Sequence, residues 1–328
     1  MAETITLVGG ETLLGREVRE VFGESELGSR IKLLAEENEA SGTLTELDGA
    51  ATFLERFEPQ ELDNAEAIIF AGSPDSYRKA AQEQISGIVI DLTGAAEDTP
   101  GARIRAPLAE SAEHETDLSG PQVIAHPAAI AVALLLNRLH RSYPIVRSVI
   151  HAFAPASERG GPGLDELQQQ TVALLSLKQM PRKVFDAQLS FNLLAQLGEE
   201  ATHPLLELEE RIERHLATLL DRADAPPMPS LKLVQAPVFH GYSFSLWIEF
   251  EDAPGAPDVE EMLASESIEV RTGREEPPTN AGVAGQSGIS AGVISPDRNQ
   301  ANAIWIWMVA DNLRLAAENA ALVAREIV

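Results

Sequence analysis

Three histidines are the side chains in this sequence that could together hold a metal ion. His126, His151 and His240 would bind zinc if the fold brought them together, because imidazole nitrogen is a common zinc ligand. No His-Glu-x-x-His string supports that role. We therefore expect ordinary hydrogen-bonded histidines and no resident metal, with a metal-dependent enzyme kept as an alternative.

Tyr242 offers a different chemistry, proton donation to a carbonyl that is being reduced by NADH. A phenol with a reference pKa of about 10 needs a neighbouring cation for this role, and no Lys is close to Tyr242 in the sequence. Besides a metal-dependent enzyme, the alternative function is therefore an NAD-dependent oxidoreductase that acts on an aldehyde or another carbonyl.

Cysteine is the residue whose absence restricts the chemistry most. None occurs among the 328 residues. The chain therefore has no thiol nucleophile, no thiolate ligand for a metal and no disulfide.

The charge balance excludes several classes of partner. Asp and Glu number 51 against 25 Lys and Arg, giving a formal net charge of -26, which repels phosphate backbones and anionic lipids. No apolar run approaches the length of a membrane span, and no positively charged leader precedes one. We expect a cytoplasmic protein with no nucleic-acid or membrane partner, and we leave a protein partner open.

The first third of the chain has the pattern of a parallel sheet covered by helices. Residues 4–8 form an apolar strand pattern, followed by a Gly-rich turn at 9–15 and a helical pattern. Further short apolar runs at 31–34, 67–70, 87–90 and 122–125 are separated by polar or helical stretches. This alternation predicts an α/β domain with a parallel sheet.

After Pro127 the pattern changes to longer elements. We predict helices at 129–139 and 311–327, the second with Asp311 as its N-cap, and a Gly/Pro-rich bend at 160–163. We predict strands at 146–153, 242–250 and 303–309. These elements predict a second domain with a large mixed or antiparallel sheet.

Six residue strings resemble those of the aspartate-semialdehyde dehydrogenase family, in the same order and over nearly the whole chain. The strings are Gly9-Gly10-Glu11-Thr12-Leu13-Leu14-Gly15, Val89-Ile90-Asp91, Val123-Ile124-Ala125-His126-Pro127, Phe191-Asn192, Pro237-Val238-Phe239-His240-Gly241 and Asp311-Asn312-Leu313-Arg314. The resemblance implies a Rossmann-like NAD-binding domain formed by 1–127 with the C-terminal helix 311–328. It implies an α+β dimerisation and catalytic-type domain formed by 128–310.

The family reaction depends on a thiolate that attacks the aldehyde and on a histidine base. The family's Asn-Pro-Asn-Cys string resembles His126-Pro127-Ala128-Ala129, which puts Ala129 at the nucleophile position. The family's base falls on Tyr242. A methyl group and a phenol cannot replace a thiol and an imidazole at neutral pH.

The resemblance also assigns the anion-binding positions, and these too have changed. The family's substrate Arg falls on Gln235, a second Arg falls on Glu97, and a Gln falls near His151. A carboxylate and a phosphate each need paired positive charge, which these residues lack. The joint loss is most like the non-catalytic, Usg-like homologues of the family.

The family turn Gly-x-x-Gly-x-x-Gly presents backbone amides and a helix N-terminus to the pyrophosphate of a dinucleotide. The resemblance places the cofactor at Gly9, Gly10, Glu11, Thr12, Leu13, Leu14, Gly15, Glu36, Gly72 and Asn312. Here Thr12 replaces the middle glycine, and Glu11 adds negative charge beside the phosphates. The alternative is that the glycines only allow the strand to turn into its helix.

The acidic string Glu36-Glu37-Asn38-Glu39 follows the second strand, where the family uses an Arg to bind the 2'-phosphate of NADP. These acids would repel the 2'-phosphate, so we do not expect NADP to bind. One of them could accept hydrogen bonds from the ribose hydroxyls of NAD, so NAD is the cofactor expected if any dinucleotide binds.

Trp305 and Trp307 alternate with Ile304 and Ile306, so we expect both faces of that strand to be covered. Core packing would cover them within one chain, whereas the resemblance favours a dimer interface. We therefore predict a catalytically degenerate, homodimeric relative of the dehydrogenase that retains at most weak NAD binding.

Overall fold

The computed structural model describes residues 4–36, 39, 42–47, 50–83, 85–110, 117–252 and 254–328. The chain divides into two compact units, the first formed by 1–125 with 316–328 and the second by 126–315. The cofactor and dimerisation roles assigned to the two regions stay predictions.

The first unit contains an eight-stranded sheet with the order β3-β4-β2-β1-β5-β6-β8-β7. Its strands are β1 Ile5–Val8, β2 Ile31–Ala35, β3 Thr43–Leu47, β4 Ala50–Arg56, β5 Ala67–Phe70, β6 Ile88–Asp91, β7 Arg103–Arg105 and β8 Gln122–Ile124. Its helices are α1 Leu13–Gly23 and α2 Pro74–Ala80, with 3-10 turns at Gly28–Arg30 and Pro59–Leu62.

The central strands of this sheet are parallel, as the alternation of apolar runs predicted. Every residue of β1 and β5 is buried, as expected for strands covered on both faces. The antiparallel hairpin of β3 and β4 was not predicted. Its outward side chains include Leu44 and Phe53, which are exposed, so the hairpin lacks the continuous apolar run that identifies a central strand.

The second unit contains a six-stranded sheet with the order β10-β9-β11-β14-β13-β12. Its strands are β9 Ile145–Ala154, β10 Ser230–Gln235, β11 Tyr242–Phe250, β12 Ile268–Arg271, β13 Ile289–Pro296 and β14 Ala303–Ala310. Its helices are α3 Pro127–His140, α4 Gly160–Leu175, α5 Leu205–Leu219 and α6 Ala256–Leu263, with a 3-10 turn at Ala156–Arg159. Helix α7 Asn312–Ile327 begins in this unit.

The six-stranded sheet is mixed, which confirms the predicted fold class. Strand β11 is antiparallel to both β9 and β14, whereas the outer pairs β10–β9 and β12–β13 are parallel. Asp311 is the predicted N-cap of α7, since its Oδ1 accepts from the amides of Leu313 at 2.9 Å and Arg314 at 3.2 Å.

One expectation for this unit is wrong. The bend predicted at 160–163 is the first turn of α4, because glycines at a helix start leave the helical pattern hidden until Leu164. The expectation that both faces of β14 are covered stays a prediction, since Ile304 and Ile306 are buried but Trp305 is 38% exposed. One face of β14 is therefore not fully covered within the single chain.

No helix in the described part of the chain is both long enough and apolar enough to cross a bilayer.

Candidate functional site

A carboxylate of the second unit holds two of the predicted site residues together. Glu158 Oε1 lies 3.0 Å from His126 Nε2, and its Oε2 accepts from the Tyr242 hydroxyl at 2.9 Å. Glu158 belongs to the 3-10 turn that follows β9. It therefore links that turn to the start of α3 and the start of β11.

His126 is positioned by the N-terminus of α3. As the N-cap residue, it accepts from the Ala128 amide through Nδ1 at 3.1 Å, and Pro127 occupies the first helical position. Its own amide donates to His215 Nδ1 at 2.8 Å. Because Nδ1 is an acceptor, the ring proton lies on Nε2 and is donated to Glu158.

Tyr242 is held by packing as well as by its hydroxyl. It is 1% exposed, its ring stacks on Phe244 with the centroids 5.8 Å apart, and it meets the His126 ring edge to face with the centroids 5.7 Å apart. Gly241, with φ of 79°, turns the chain into β11 just before it.

Asn312 fixes the two segments that carry this cluster. Its Oδ1 accepts from the Ser157 hydroxyl at 3.1 Å and from the Gly241 amide at 3.2 Å. Asn312 is buried within the second unit, so its amide oxygen has a structural role there. Its assignment to the cofactor stays a prediction.

The electrostatics of the cluster fix its protonation. Burial acts to raise the pKa of Glu158, but His126, the Arg159 charge and the Tyr242 hydrogen bond together lower it to about 2. Burial and the neighbouring Glu158 raise the pKa of Tyr242 well above its usual value. At neutral pH the cluster therefore contains a carboxylate and a neutral phenol.

These protonation states count against the oxidoreductase alternative. The Tyr242 proton is donated to Glu158, and a raised pKa makes the phenol a weaker acid. Arg159 and Arg211 do act to lower that pKa, but burial and Glu158 outweigh them. The neighbouring cation that proton donation requires is therefore present, as Arg159 and Arg211, but it does not make the phenol acidic enough for this role.

The metal alternative has no geometric support. His126 is buried, whereas His151 is exposed on β9 opposite Ser245, and His240 lies in the turn before β11. Among the residues that the structure describes, no three His, Asp or Glu side chains are grouped so that they could hold a metal ion.

The Gly-rich turn of the first unit uses its backbone amides internally. The Gly9 amide donates to Leu34 O at 2.9 Å and the Thr12 amide to Gly9 O at 3.1 Å. The Gly15 amide donates to Thr12 Oγ1 at 2.9 Å, which makes Thr12 the N-cap of α1. A Cβ on Gly15 would lie 1.9 Å from Gly9 O, so the close strand–helix approach requires this glycine.

Glu39 accepts a hydrogen bond from a further backbone amide of the turn. Its Oε1 accepts from the Glu11 amide and its Oε2 from the Glu36 amide, both at 2.8 Å. A carboxylate in this position occupies a donor that a pyrophosphate oxygen would use. Burial raises the pKa of Glu39, as do the charges of Glu36 and Glu11, against the effect of the two amides.

Glu36 also has an internal partner. Its Oε1 accepts from the Ser73 amide and from the Ser76 hydroxyl, both at 2.6 Å. A Cβ on Gly72 would lie 2.3 Å from this carboxyl group, so the glycine makes room for Glu36 itself. Glu37 and Asn38 of the same acidic string lie outside the described residues.

The negative charge that Glu11 is predicted to add beside the phosphates has partners within the first unit. Its carboxylate pairs with Arg16 at 3.0 Å, with Arg19, and with the Thr45 hydroxyl at 2.7 Å. Burial acts to raise the pKa of Glu11, but Thr45 and the two arginines lower it. The charge is therefore largely neutralised within the first unit.

Leu13 and Leu14, also predicted to lie at the cofactor, are the first residues of α1.

Comparison with known proteins identifies the second unit. Residues 136–315 match the semialdehyde dehydrogenase dimerisation domain. The chain belongs to the aspartate-semialdehyde dehydrogenase family. A USG-1 protein homolog from Pseudomonas aeruginosa is 30% identical over 268 residues, covering 80% of this chain and 78% of that protein.

An aspartate-semialdehyde dehydrogenase from Rickettsia bellii is 30% identical over 228 residues. The match covers 65% of this chain and 64% of the Rickettsia protein, just under two thirds of its length. A probable aspartate-semialdehyde dehydrogenase from Pseudomonas aeruginosa has the same fold, with a TM-score of 0.85, 24% identity and coverage of 99% and 98%. The Candida albicans enzyme, solved with NADP, has a TM-score of 0.66 at 12% identity, covering 100% and 98%.

The family-equivalent positions lie in both units. Ala129 is 0% exposed in the first turn of α3, and Gln235 is 0% exposed at the end of β10, where its Nε2 donates to Ala154 O at 2.8 Å. Glu97 lies in the loop after β6 of the first unit, near the buried Asp91 that organises this loop. Tyr242 contacts the His126 ring.

Glu158 is the central residue that the sequence interpretation missed. It has no motif around it, and the only available signal was the adjacent Glu158-Arg159 pair after an otherwise apolar stretch. Its role comes from tertiary contacts with His126, 32 positions earlier in the sequence, and with Tyr242, 84 positions later.

We expect Glu158→Gln to lower the free energy of unfolding at pH 7 by about 3 kcal/mol, the amount that corresponds to a pKa lowered from 4.5 to about 2. A lowered pKa stabilises the fold above the unfolded value, and this stability is lost as the pH falls. The difference between wild type and variant should therefore narrow below pH 4.5 and vanish near pH 2.

Urea unfolding at a series of pH values measures this difference. Glu199→Gln changes an exposed carboxylate of the same unit and should change stability little at any pH. If the free energy of unfolding of Glu158→Gln differs from that of the wild type by the same amount at every pH, the carboxylate charge is not what stabilises the cluster.

Proposed function

We propose that this protein is a homodimeric member of the aspartate-semialdehyde dehydrogenase family that does not catalyse the family reaction. Ala129 carries the proposal, because it stands at the nucleophile position with only a buried methyl group. The chain contains no cysteine that could act in its place. Formation of a thioester needs a sulfur nucleophile that also leaves readily.

The base position supports the same conclusion. Tyr242 is a neutral phenol whose pKa is raised by burial and by Glu158, so it cannot accept a proton at neutral pH. Gln235 has its amide nitrogen bonded to Ala154 O and provides no positive charge for a substrate carboxylate.

The proposed dimer would form through the partly exposed face of the six-stranded sheet. Val149, Trp247 and Trp305 are cross-strand neighbours on this face. Trp247 and Trp305 both donate through Nε1 to Asp297 Oδ2, at 3.0 and 2.8 Å, so their polar atoms are satisfied. The remaining apolar ring surface gains most by packing against a second copy.

The proposed dinucleotide affinity is weak and limited to NAD. The amides of Gly9, Glu11, Thr12 and Gly15 already have internal acceptors. The carboxylates of Glu36 and Glu39 would repel the 2'-phosphate of NADP. Binding of NAD would require the Glu39 carboxylate to leave the Glu11 amide.

We expect no turnover of aspartate semialdehyde with phosphate and either NAD or NADP, measured as NAD(P)H absorbance with the purified protein. Ala129→Cys should stay inactive as well, because Tyr242 cannot serve as the base. Activity of the wild type that persists through repeated purification would refute the proposal. Activity of Ala129→Cys alone would show that only the nucleophile has been lost.

We expect Glu39→Ala to increase the thermal stabilisation that NAD produces, because it frees the Glu11 amide and removes a negative charge. The unfolding temperature of the wild type should rise little with NAD and not at all with NADP. Glu83→Ala removes an exposed acid of the same unit and should behave like the wild type. Equal NAD-induced shifts in all three proteins would contradict the role given to Glu39.

We expect Trp305→Glu to convert the dimer to a monomer, since it places an unpaired charge in an apolar interface. Sedimentation velocity gives the oligomeric state directly. Leu44→Glu, at a 72% exposed position of the first unit, is the matched control and should leave the dimer intact. A monomeric wild type, or a dimeric Trp305→Glu variant, would rule out this interface.

A further inference from the structure

Leu177, just after α4, is a large apolar side chain that the fold leaves almost entirely in solvent. It is 96% exposed, and its φ of 53° lies in the left-handed region. Its amide donates to Leu174 O at 3.3 Å. The Lys178 amide donates to Ala173 O at 2.8 Å, which completes a Schellman motif at the end of α4. Glycine is the usual residue at this position, so a leucine here strains the backbone and buries almost nothing within the chain.

Three further exposed side chains extend this apolar surface. Val172 and Leu175 lie about one turn apart on α4 and are 54% and 76% exposed. Phe191 is 68% exposed and also has a left-handed φ, of 64°. It follows Ser190, whose hydroxyl lies 2.9 Å from the Thr171 hydroxyl, so it is brought beside the same part of α4. The α4 patch is defined as Val172, Leu175, Leu177 and Phe191. Exposed apolar surface of this kind marks a contact site.

Buried polar side chains of α4 hold the loop that leads to Phe191. Gln170 Oε1 accepts from the amides of Leu189 and Ser190, at 2.8 and 3.1 Å. Glu166, also buried, accepts from three successive backbone amides, those of residues 183–185. The α4 patch is therefore in place before any partner binds, which lowers the entropic cost of association.

The segment after Leu177 carries positive charge that the chain does not compensate. The sequence contains five lysines, of which three pair with glutamates: Lys32, Lys79 and Lys232. The other two, Lys178 and Lys183, are exposed together with Arg182. In the described part of the chain, no carboxylate pairs with the side chains of these three residues. A local cluster of unpaired cations thus lies next to an apolar surface in a strongly acidic protein.

We propose that the α4 patch docks an acidic segment of another protein that also carries large apolar side chains. Its carboxylates pair with Lys178, Arg182 and Lys183, while its apolar side chains cover Leu177 and its neighbours. The net charge of -26 does not prevent this contact, because salt screens charges more than about 8 Å away at physiological ionic strength. The proposal depends neither on the loss of catalysis nor on the proposed dimer.

A second copy of this chain fits the α4 patch less well than an acidic partner. Both subunits of a two-fold dimer contribute the same surface, so the three cations of one copy would lie opposite the same cations of the other. Like charges that meet in an interface oppose association. An acidic segment turns the same three charges into favourable pairs.

Selection of short, random, displayed peptides on the immobilised full-length protein tests the proposal. We expect the enriched peptides to be net acidic and to carry several large apolar side chains. Fluorescence polarisation with an enriched peptide should show binding that weakens as salt is added. Lys178→Glu should weaken this binding about tenfold or more, because it reverses one of the pairing charges. Arg141→Glu, at an exposed arginine of the same unit, should bind like the wild type.

Leu177→Gly separates binding from folding. Glycine adopts a φ of 53° without strain, so this variant should unfold at the same temperature as the wild type or higher. It should nevertheless bind the enriched peptide about tenfold or more weakly, since the most exposed side chain of the α4 patch is gone. Leu44→Ser, at a 72% exposed position of the first unit, should leave peptide binding unchanged. A lower unfolding temperature of Leu177→Gly would mean that Leu177 supports the fold, and the docking surface would be wrong.

Other occupants of the α4 patch give other results. Vesicles of phosphatidylserine and phosphatidylcholine that bind the wild type but not Lys178→Glu would identify a lipid surface as the partner. A different sedimentation coefficient for Lys178→Glu would show that the patch contacts a second copy. Either result overturns the proposal, as does a selection that enriches no peptide or enriches neutral or basic ones.

Discussion

The hydrogen bonds of the Glu158 carboxylate determine how the polar residues of the second unit are arranged. One oxygen accepts from His126 at the start of α3 and the other from Tyr242 at the start of β11. A buried carboxylate is stable only when donors surround it, so these three segments must keep their relative positions for the charge to be tolerated. The same bonds fix the tautomer of His126 and keep the Tyr242 phenol neutral. The cluster is therefore suited to holding the fold and poorly suited to moving protons.

In the first unit, acidic side chains likewise hold polar groups in place by accepting their hydrogen bonds. Glu39 accepts from two backbone amides, and Glu36 accepts from the Ser73 amide and the Ser76 hydroxyl. Glu11 is neutralised by Arg16 and Arg19. The excess of acidic residues in the composition thus has local consequences, because some of these carboxylates occupy donors that a nucleotide phosphate would otherwise use. The proposed weak affinity for dinucleotides follows from contacts within the chain as much as from its net charge.

Periodicity was sufficient to predict the elements that bury a regular apolar pattern. The strand before the Gly-rich turn, helix α3 and strands β11 and β14 were all predicted within two residues of their bounds. The β3–β4 hairpin, the start of α4 and strands β12 and β13 were missed, because exposed, glycine-containing or short segments carry little periodic signal. Ala129 and Tyr242 could be assigned from neighbouring strings, whereas Glu158 and Glu39 depend on partners distant in sequence. Tertiary contacts of this kind leave no local pattern to read.

Loss of a reaction removes the need to keep polar groups available for substrates, and internal hydrogen bonds that stabilise the fold can then accumulate. The internally bonded amides of the Gly-rich turn and the shared carboxylate of Glu158 fit that expectation. Arg159 does not, since two of its nitrogens are buried without an acceptor in the described part of the chain while the adjacent Glu158 is fully engaged. The Arg159 charge nevertheless lowers the pKa of Glu158, so this arginine belongs to the electrostatic balance that keeps the carboxylate ionised.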